Sequence, residues 1–382
     1  MRIAADDRLT FPLRLVWKAP FVPENSLPMR VLPWRDRLFV VNHVSGADHA
    51  TFSCLHARSG DLLWRREREA PGRTTIACVS DEGVIAYGTD WASPVCAYDL
   101  TNGEERWRND RVRPGMDDAV LLDGAGQSAI KGAATGLDVN AAIALDSGPE
   151  ASQTIVVLDR RTGGIVWSRQ YDGALAWPQV AIGDALIVMQ ESDAGVHGFV
   201  LAVDVATGEV RWRRDLRDAK RTWIATTKEW EKGSVESVTT DGTRALCNVT
   251  GGALIALDPA TGETLWQYDA DGGGFMRPLP VGDHLYTINR STFYCLDAFT
   301  GRLVFSESLG PDESWLRNTW CLADRVAIYG AGKFLIARHL DRGRMIWWFE
   351  GDANFAPPFA HGGRLYAGCL DGHVYCFEPQ PE

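Results

Sequence analysis

Residues 257–266, Leu-Asp-Pro-Ala-Thr-Gly-Glu-Thr-Leu-Trp, constrain the fold more than any other stretch, because the chain keeps rewriting them. Read as hydrophobic-Asp-x-x-Thr-Gly-x-x-x-Trp, the frame returns at 98–107, 158–167 and 203–212, with weaker copies at 55–64, 296–305 and 338–347. Its seven glycines, Gly60, Gly103, Gly163, Gly208, Gly262, Gly301 and Gly343, are spaced 43, 60, 45, 54, 39 and 42 residues apart. A period of this size means stacked or circular repeats, each burying its apolar face only against a neighbour.

Each copy reads as two strands joined by a tight turn. The residues before the Asp are short, apolar and β-prone, as in Ala253-Leu-Ile-Ala-Leu257 and Thr154-Ile-Val-Val-Leu158. The Gly supplies the positive φ of a short hairpin, and the Asp and Thr side chains accept from turn N–H groups. The Trp then lies on the next strand, where its ring covers the flank of the neighbouring repeat; a Trp at one fixed place in most repeats is packing. Two more strand signals lie upstream of each copy. In one repeat they are Pro278-Leu-Pro-Val281, then a Gly-Asp turn and His284-Leu-Tyr-Thr-Ile288. Four short strands per repeat of this length make a β-propeller blade.

The pattern Ala-x-Asp-x-x-Thr-Gly-x-x-x-Trp, near-complete at 256–266, resembles the pyrroloquinoline-quinone-enzyme-like (PQQ-like) propeller repeat, and the resemblance covers nearly the whole chain. It implies an all-β fold of four-stranded antiparallel blades. It says little about activity, since one fold hosts many functions.

The last repeat is cut short. Gly372-His-Val-Tyr-Cys-Phe377 matches a third strand, Glu378 stands in the Asp place, and no fourth strand follows. At the other end, Phe11-Pro-Leu-Arg-Leu-Val-Trp17 carries a Trp with no strands before it. Residues 11–18 are therefore expected to complete the last blade as its outer strand and close the ring. The outer-strand aromatics Trp17, Trp64, Trp107, Trp167, Trp212, Trp266, Phe305 and Trp347 predict eight blades in a single domain over 1–382. Seven is the alternative if the irregular third repeat is parsed differently.

The formal net charge of −11 argues against a nucleic-acid surface, which needs a basic stripe. Nothing approaches the length of apolar run that a membrane-spanning helix needs. The first ten residues lack an apolar stretch and a lipobox cysteine, so no export signal is expected. The eight cysteines form no CxxC and no adjacent pair, and most fall in strand signals. Reduced, buried thiols and a cytoplasmic location follow as expectations.

Two segments depart from the repeat. The Gly/Ala-rich insert 124–138 reads as an ordered loop or an extra hairpin. The charged connection 214–234 carries two Trp residues and partial helical patterning, and its length fits a lid or binding loop. Connections between blades would ring one mouth of a propeller channel, and here they hold the side chains that do not repeat. The candidate ligand-binding set is Arg30, Arg73, Asp117, Asp118, Trp177, Trp223, Trp230, Glu236, Arg277, Trp315, Arg317, Asn318 and Asn354. Aromatic walls with a few convergent polar groups make a small-molecule pocket. Arg30, Arg73, Arg277 and Arg317 would meet an anionic group, with Asp117, Asp118 and Glu236 as ion-pair partners or general bases. The plain alternative is that these charges satisfy one another around a water-filled channel.

Three functions fit. The first is a ligand- or protein-binding scaffold, similar to the repeat protein that assists outer-membrane barrel assembly, whose sign would be an unpaired strand edge or an outer patch. The second is a cofactor-independent enzyme acting on a small anionic or aromatic substrate, marked by a carboxylate of raised pKa beside an aromatic pocket. The third, implied by the resemblance alone, is a dehydrogenase using pyrroloquinoline quinone and calcium. Such enzymes commonly add adjacent cysteines, a calcium site and a Trp platform. Here only Trp177 or Trp230 offers a platform. The first reading leads, with no cofactor, no metal site, and a monomer or weak oligomer expected.

Overall fold

A computed structural model describes residues 8–20, 26–44, 49–69, 74–81, 83–88, 94–112, 114–122, 141–146, 154–173, 175–191, 197–224, 229–270, 274–309 and 316–381. The described residues are all-β and form eight four-stranded antiparallel sheets, each a blade, plus one separate two-stranded hairpin. Among the described residues no helix is long and apolar enough to cross a membrane. The insert 124–138 and Arg73 and Trp315 lie outside the described residues.

Blade five shows how the repeat builds a blade. Its strands are Val235–Thr240, Ala245–Val249, Ala253–Leu257 and Thr264–Asp269, paired in sequence order. The two middle strands are buried along their whole length, while the outer strand is exposed except at Trp266 and Tyr268. A strand covered on both faces must be apolar throughout, which is why the middle strands read as Ala-Leu-Cys-Asn-Val and Ala-Leu-Ile-Ala-Leu.

The turn chemistry is the one the frame predicts. Asp258 Oδ1 accepts from the N–H groups of Ala260 and Thr261 at 2.8 and 2.9 Å, and Gly262 N–H donates to the Asp258 carbonyl at 2.8 Å. Gly262 has φ +74°, and a Cβ there would fall 2.7 Å from the Trp212 ring of the preceding blade. That indole also donates to the Pro259 carbonyl at 2.9 Å. The same donation runs from Trp17 to Arg58, Trp64 to Leu100, Trp167 to Val205, Trp266 to Ala298 and Trp347 to Leu13. The repeated Trp thus joins neighbouring blades by ring contact and one hydrogen bond.

The chain falls into two compact units. Residues 3–111 with 309–382 form one, and 112–308 the other. The first holds blades one (26–69), two (74–109), seven (316–350) and eight (359–379 with the N-terminal strand). Its cores fill the spaces between adjacent blades, for example Phe39, Phe52, Trp64 and Tyr98 between blades one and two. The second holds blades three (114–170), four (175–215), five (235–269) and six (279–308), with cores such as Ile187, Ala202, Cys247 and Ile255 between four and five.

The N-terminal strand Leu13–Pro20 completes blade eight, as expected. It pairs antiparallel with His373–Pro379, from Leu13 opposite Pro379 to Pro20 opposite His373. A charged cluster fixes it there. Lys18 Nζ sits 2.8 Å from both Asp352 and Asp371 and 4.9 Å from the Tyr375 ring centre, while Tyr375 donates to Asp371 at 2.7 Å. Burial alone would raise the Asp371 carboxyl, but hydrogen bonds from Lys18 and Tyr375 outweigh it and hold it below its ordinary range. Arg14 and Arg364 share Glu378 at the other end of the strand.

Candidate functional site

The first strand of every blade is irregular at one place. Its pairing slips between Pro28 and Arg30, Ile76 and Cys78, Pro114 and Ala119, Ala176 and Val180, Val235 and Ser237, and Leu316 and Trp320. In blades six and eight, lone bridges Phe275–Asn289 and Phe355–Cys369 stand apart from strands that begin at Leu279 and Phe359. Bulges re-aim side chains and are frequent beside functional sites. Asp117, Asp118, Trp177, Glu236, Arg277, Arg317 and Asn318 all fall inside these irregular stretches, and Arg30 borders one.

The side chains of Arg30, Asp117, Asp118, Trp177, Trp223, Trp230, Arg317 and Asn318 lie outside the described residues. Three candidates are fully described: Glu236 and Arg277 in the 112–308 unit, and exposed Asn354 in the other. The structure brings Glu236 against 274–275, the segment leading into Arg277.

That junction of blades five and six is the best-defined polar site. Asn248 Nδ2 donates to the Phe275 carbonyl and, at 3.1 Å, to Glu236 Oε2, while Asn248 Oδ1 accepts the Phe275 N–H at 3.0 Å. One buried amide therefore clamps the backbone of the next blade and orients a carboxylate. At the corresponding place in blade eight, the Phe355 N–H donates to the Gly332 carbonyl instead, at 2.9 Å. Glu236 keeps much of its side chain in solvent, yet its carboxylate presses on the backbone, and a Cβ on Gly274 would fall 1.9 Å from Oε2. Burial against this backbone pushes the Glu236 carboxyl above its ordinary value, and the Asn248 amide draws it part of the way back.

Tyr268, Phe275 and Tyr294 form an aromatic wall here, with ring centres 5.7 to 6.3 Å apart. Buried beside it are Ser237, paired with Asn248, and Asn289, paired with Phe275. Among the described residues, the Ser237 hydroxyl and both amide atoms of Asn289 have no hydrogen-bond partner. Asn289 is only 3% exposed, so the seam stores polar capacity that burial normally forbids. Sequence reasoning missed Asn248, Ser237 and Asn289. The one available signal was a polar residue interrupting an otherwise apolar middle strand, as Asn248 does.

Among its described residues the connection 214–234 is not helical. It folds as strands Arg221–Ile224 and Glu229–Lys232, with Trp223 opposite Trp230 in the register. Alternating Thr222 and Ile224 suit a strand, and pairing satisfies backbone groups that a short isolated helix leaves open. Its base is rooted on blade five. Gly233 N–H donates to the Arg217 and Lys220 carbonyls at 3.0 and 2.8 Å, Gln267 donates to the Ala219 carbonyl at 3.1 Å, and Lys220 lies 3.4 Å from Asp269. Among the described residues, neither strand pairs with a blade.

Seven cysteines are described, all of them buried. Burial pushes the thiols of Cys54, Cys247, Cys295, Cys321, Cys369 and Cys376 up, to about 12 for Cys247 and about 11 for Cys369, which disfavours the reactive thiolate. Among the described residues no group of three or more His, Cys, Asp or Glu side chains is placed to hold a metal ion.

The family model described as outer membrane protein assembly factor BamB matches residues 14–174, 136–268 and 196–347. Quinohemoprotein alcohol dehydrogenase ADH IIB of Pseudomonas putida is 26% identical over 292 residues, covering 68% of this chain and 37% of that protein. BamB of Burkholderia pseudomallei (strain K96243) is 30% identical over 147 residues, 38% of this chain and 32% of that protein. The chain thus spans well under half the length of these relatives. The crystal structure of BamB from Moraxella catarrhalis aligns with a TM-score of 0.66 at 15% identity, covering 96% of this chain and 100% of that one. This likeness shows the fold, an eight-bladed β-propeller.

Proposed function

This chain belongs to the PQQ-like repeat family described as outer membrane protein assembly factor BamB, and from that premise we propose that it is a protein-binding scaffold. Its working surface is the hairpin 221–232 together with the bulged junction of blades five and six. The observation that carries this reading is the hairpin itself: a two-stranded sheet, anchored at its base, whose outer edges pair with no other described strand. An unpaired edge is a template for an extended polypeptide, with main-chain hydrogen bonds giving affinity and alternate side chains giving specificity. A relative named as an outer membrane protein assembly factor agrees with a protein partner.

Replacing 221–232 by a short Gly/Ser turn tests this. Calorimetric titration with extended peptides of alternating apolar and polar residues should give binding to the native protein and none to the variant, with unchanged melting. Equal binding by both proteins would refute the assignment.

A second reading rests on Glu236. A carboxyl raised by burial beside an aromatic wall is how a general acid or base is prepared. On this reading Glu236 is the proton-transferring group, and an Arg such as Arg277 holds an anionic substrate. Native mass spectrometry with organic anions, and with pyrroloquinoline quinone plus calcium, separates the two. The scaffold reading predicts an empty protein that none of these compounds stabilises.

A further inference from the structure

Among the described residues every blade ends in an outer strand whose far edge is unpaired, and sequence decides which edges are guarded. The residue after the outer-strand aromatic is Arg65, Arg108, Arg213 or Lys18 in four blades, and Ser168, Gln267 or Ser306 in three. Charged and polar residues at such a position keep edges apart. Blade seven has Trp348 there. Its outer strand Met345–Glu350 reads Met-Ile-Trp-Trp-Phe-Glu, and Trp348 is 54% exposed, Met345 43% and Ile346 39%. Trp348 packs edge-on against Phe334, ring centres 5.9 Å apart, which holds the indole outward in one orientation. On its inner side the strand pairs with Phe334–His339. On its outer side it pairs with nothing among the described residues.

The flanking charges identify the occupant. In an antiparallel pairing of this strand with a copy of itself, centred on Trp347, Arg344 stands opposite Glu350 and Ile346 opposite Trp348. Both ends are then oppositely charged and the centre is apolar. The same operation on other outer strands sets like charges against each other: Asp61 against Glu67, Glu104 against Asp110, Glu209 against Asp215, and Glu263 against Asp269. Like charges directly opposite destabilise a strand pair. Of the outer strands, only that of blade seven sets opposite charges three residues either side of its central aromatic.

We propose that the chain forms a two-fold symmetric dimer through antiparallel pairing of Met345–Glu350 with the same strand of a second copy. The inference goes beyond the partner-binding reading, because its surface lies on blade seven and leaves the hairpin 221–232 untouched. A contact of one six-residue strand and three exposed apolar side chains falls below the roughly 800 Å² per partner of a stable interface, so the dimer is concentration-dependent. The symmetric operation is closed, which limits assembly to two copies. Glu350 meets Lys333 within its own chain through Oε1, and in the dimer Arg344 of the second copy would meet Oε2.

Sedimentation velocity from about 1 to 100 μM tests the dimer. The native protein should shift from monomer to dimer over that range. Trp348→Arg, which installs the guard found in other blades, should weaken association by about tenfold or more. Arg344→Glu alone should do the same, and Arg344→Glu combined with Glu350→Arg should restore the dimer. These side chains are exposed, so melting temperatures should match the native protein. If Trp348→Arg misfolds, the charge exchange still decides the matter. A native protein monomeric throughout, association that survives Trp348→Arg, or a double exchange that fails to restore it would each overturn the proposal.

Discussion

Asn248 and Glu236 show how single side chains set up the junction of blades five and six. Asn248 holds both the N–H and the carbonyl of Phe275, so Asn248→Ala leaves two buried backbone groups unpaired. We expect a loss of about 2–4 kcal/mol in denaturant unfolding. Glu236 acts in the opposite sense. Its folded-state carboxyl is raised, so the native state is favoured below the ordinary carboxylate range and loses that advantage as pH rises through the raised value. Glu236→Gln should therefore melt slightly higher than the native protein at pH 7.5, by less than about 2 °C, with the gain vanishing at pH 4. At Gly262, a Cβ meets both a positive φ and the Trp212 ring; Gly262→Ala should cost about 2 kcal/mol or more in the same unfolding assay.

At the scale of elements, the N-terminal strand is held by charge as well as by its ladder. The Asp371 carboxyl is depressed, so its contribution is present above the ordinary carboxylate range and lost as pH falls through the depressed value. Asp371→Asn should cost about 1–3 kcal/mol at pH 7, and the difference from the native protein should close in acid. This strand was legible in the sequence because Trp17 carried the repeat's signature with no strands before it. The Asp258–Gly262–Trp266 turns were legible for a similar reason, since each is made within ten residues. The hairpin 221–232 was misread as partly helical, because short runs of Lys, Glu and Trp carry no decisive period. Asn248 was missed because its role depends on a register with the next blade, 27 residues away. Glu236 stood out in the sequence as a side chain outside the repeat frame, but the bulge that positions it has no sequence signature.

For the whole molecule, the repeat dictates architecture and leaves activity to what interrupts it. Among the described residues, six turns close with the same glycine N–H bond and six indoles make the same bond to a neighbouring blade, while most candidate residues fall where first strands slip and connections lengthen. Relatives named as dehydrogenases and as an assembly factor share those blades, so likeness alone does not choose between their activities. The feature that chooses, on this account, is the free-edged hairpin rooted on blade five. Hydrogen exchange of the full chain, with and without a saturating extended peptide, tests it most directly. A partner held on the hairpin edge should slow exchange at the amides of 221–224 and 229–232 and leave the middle strands of blade five unchanged. Protection confined to other segments, with these eight amides exchanging as before, would contradict it.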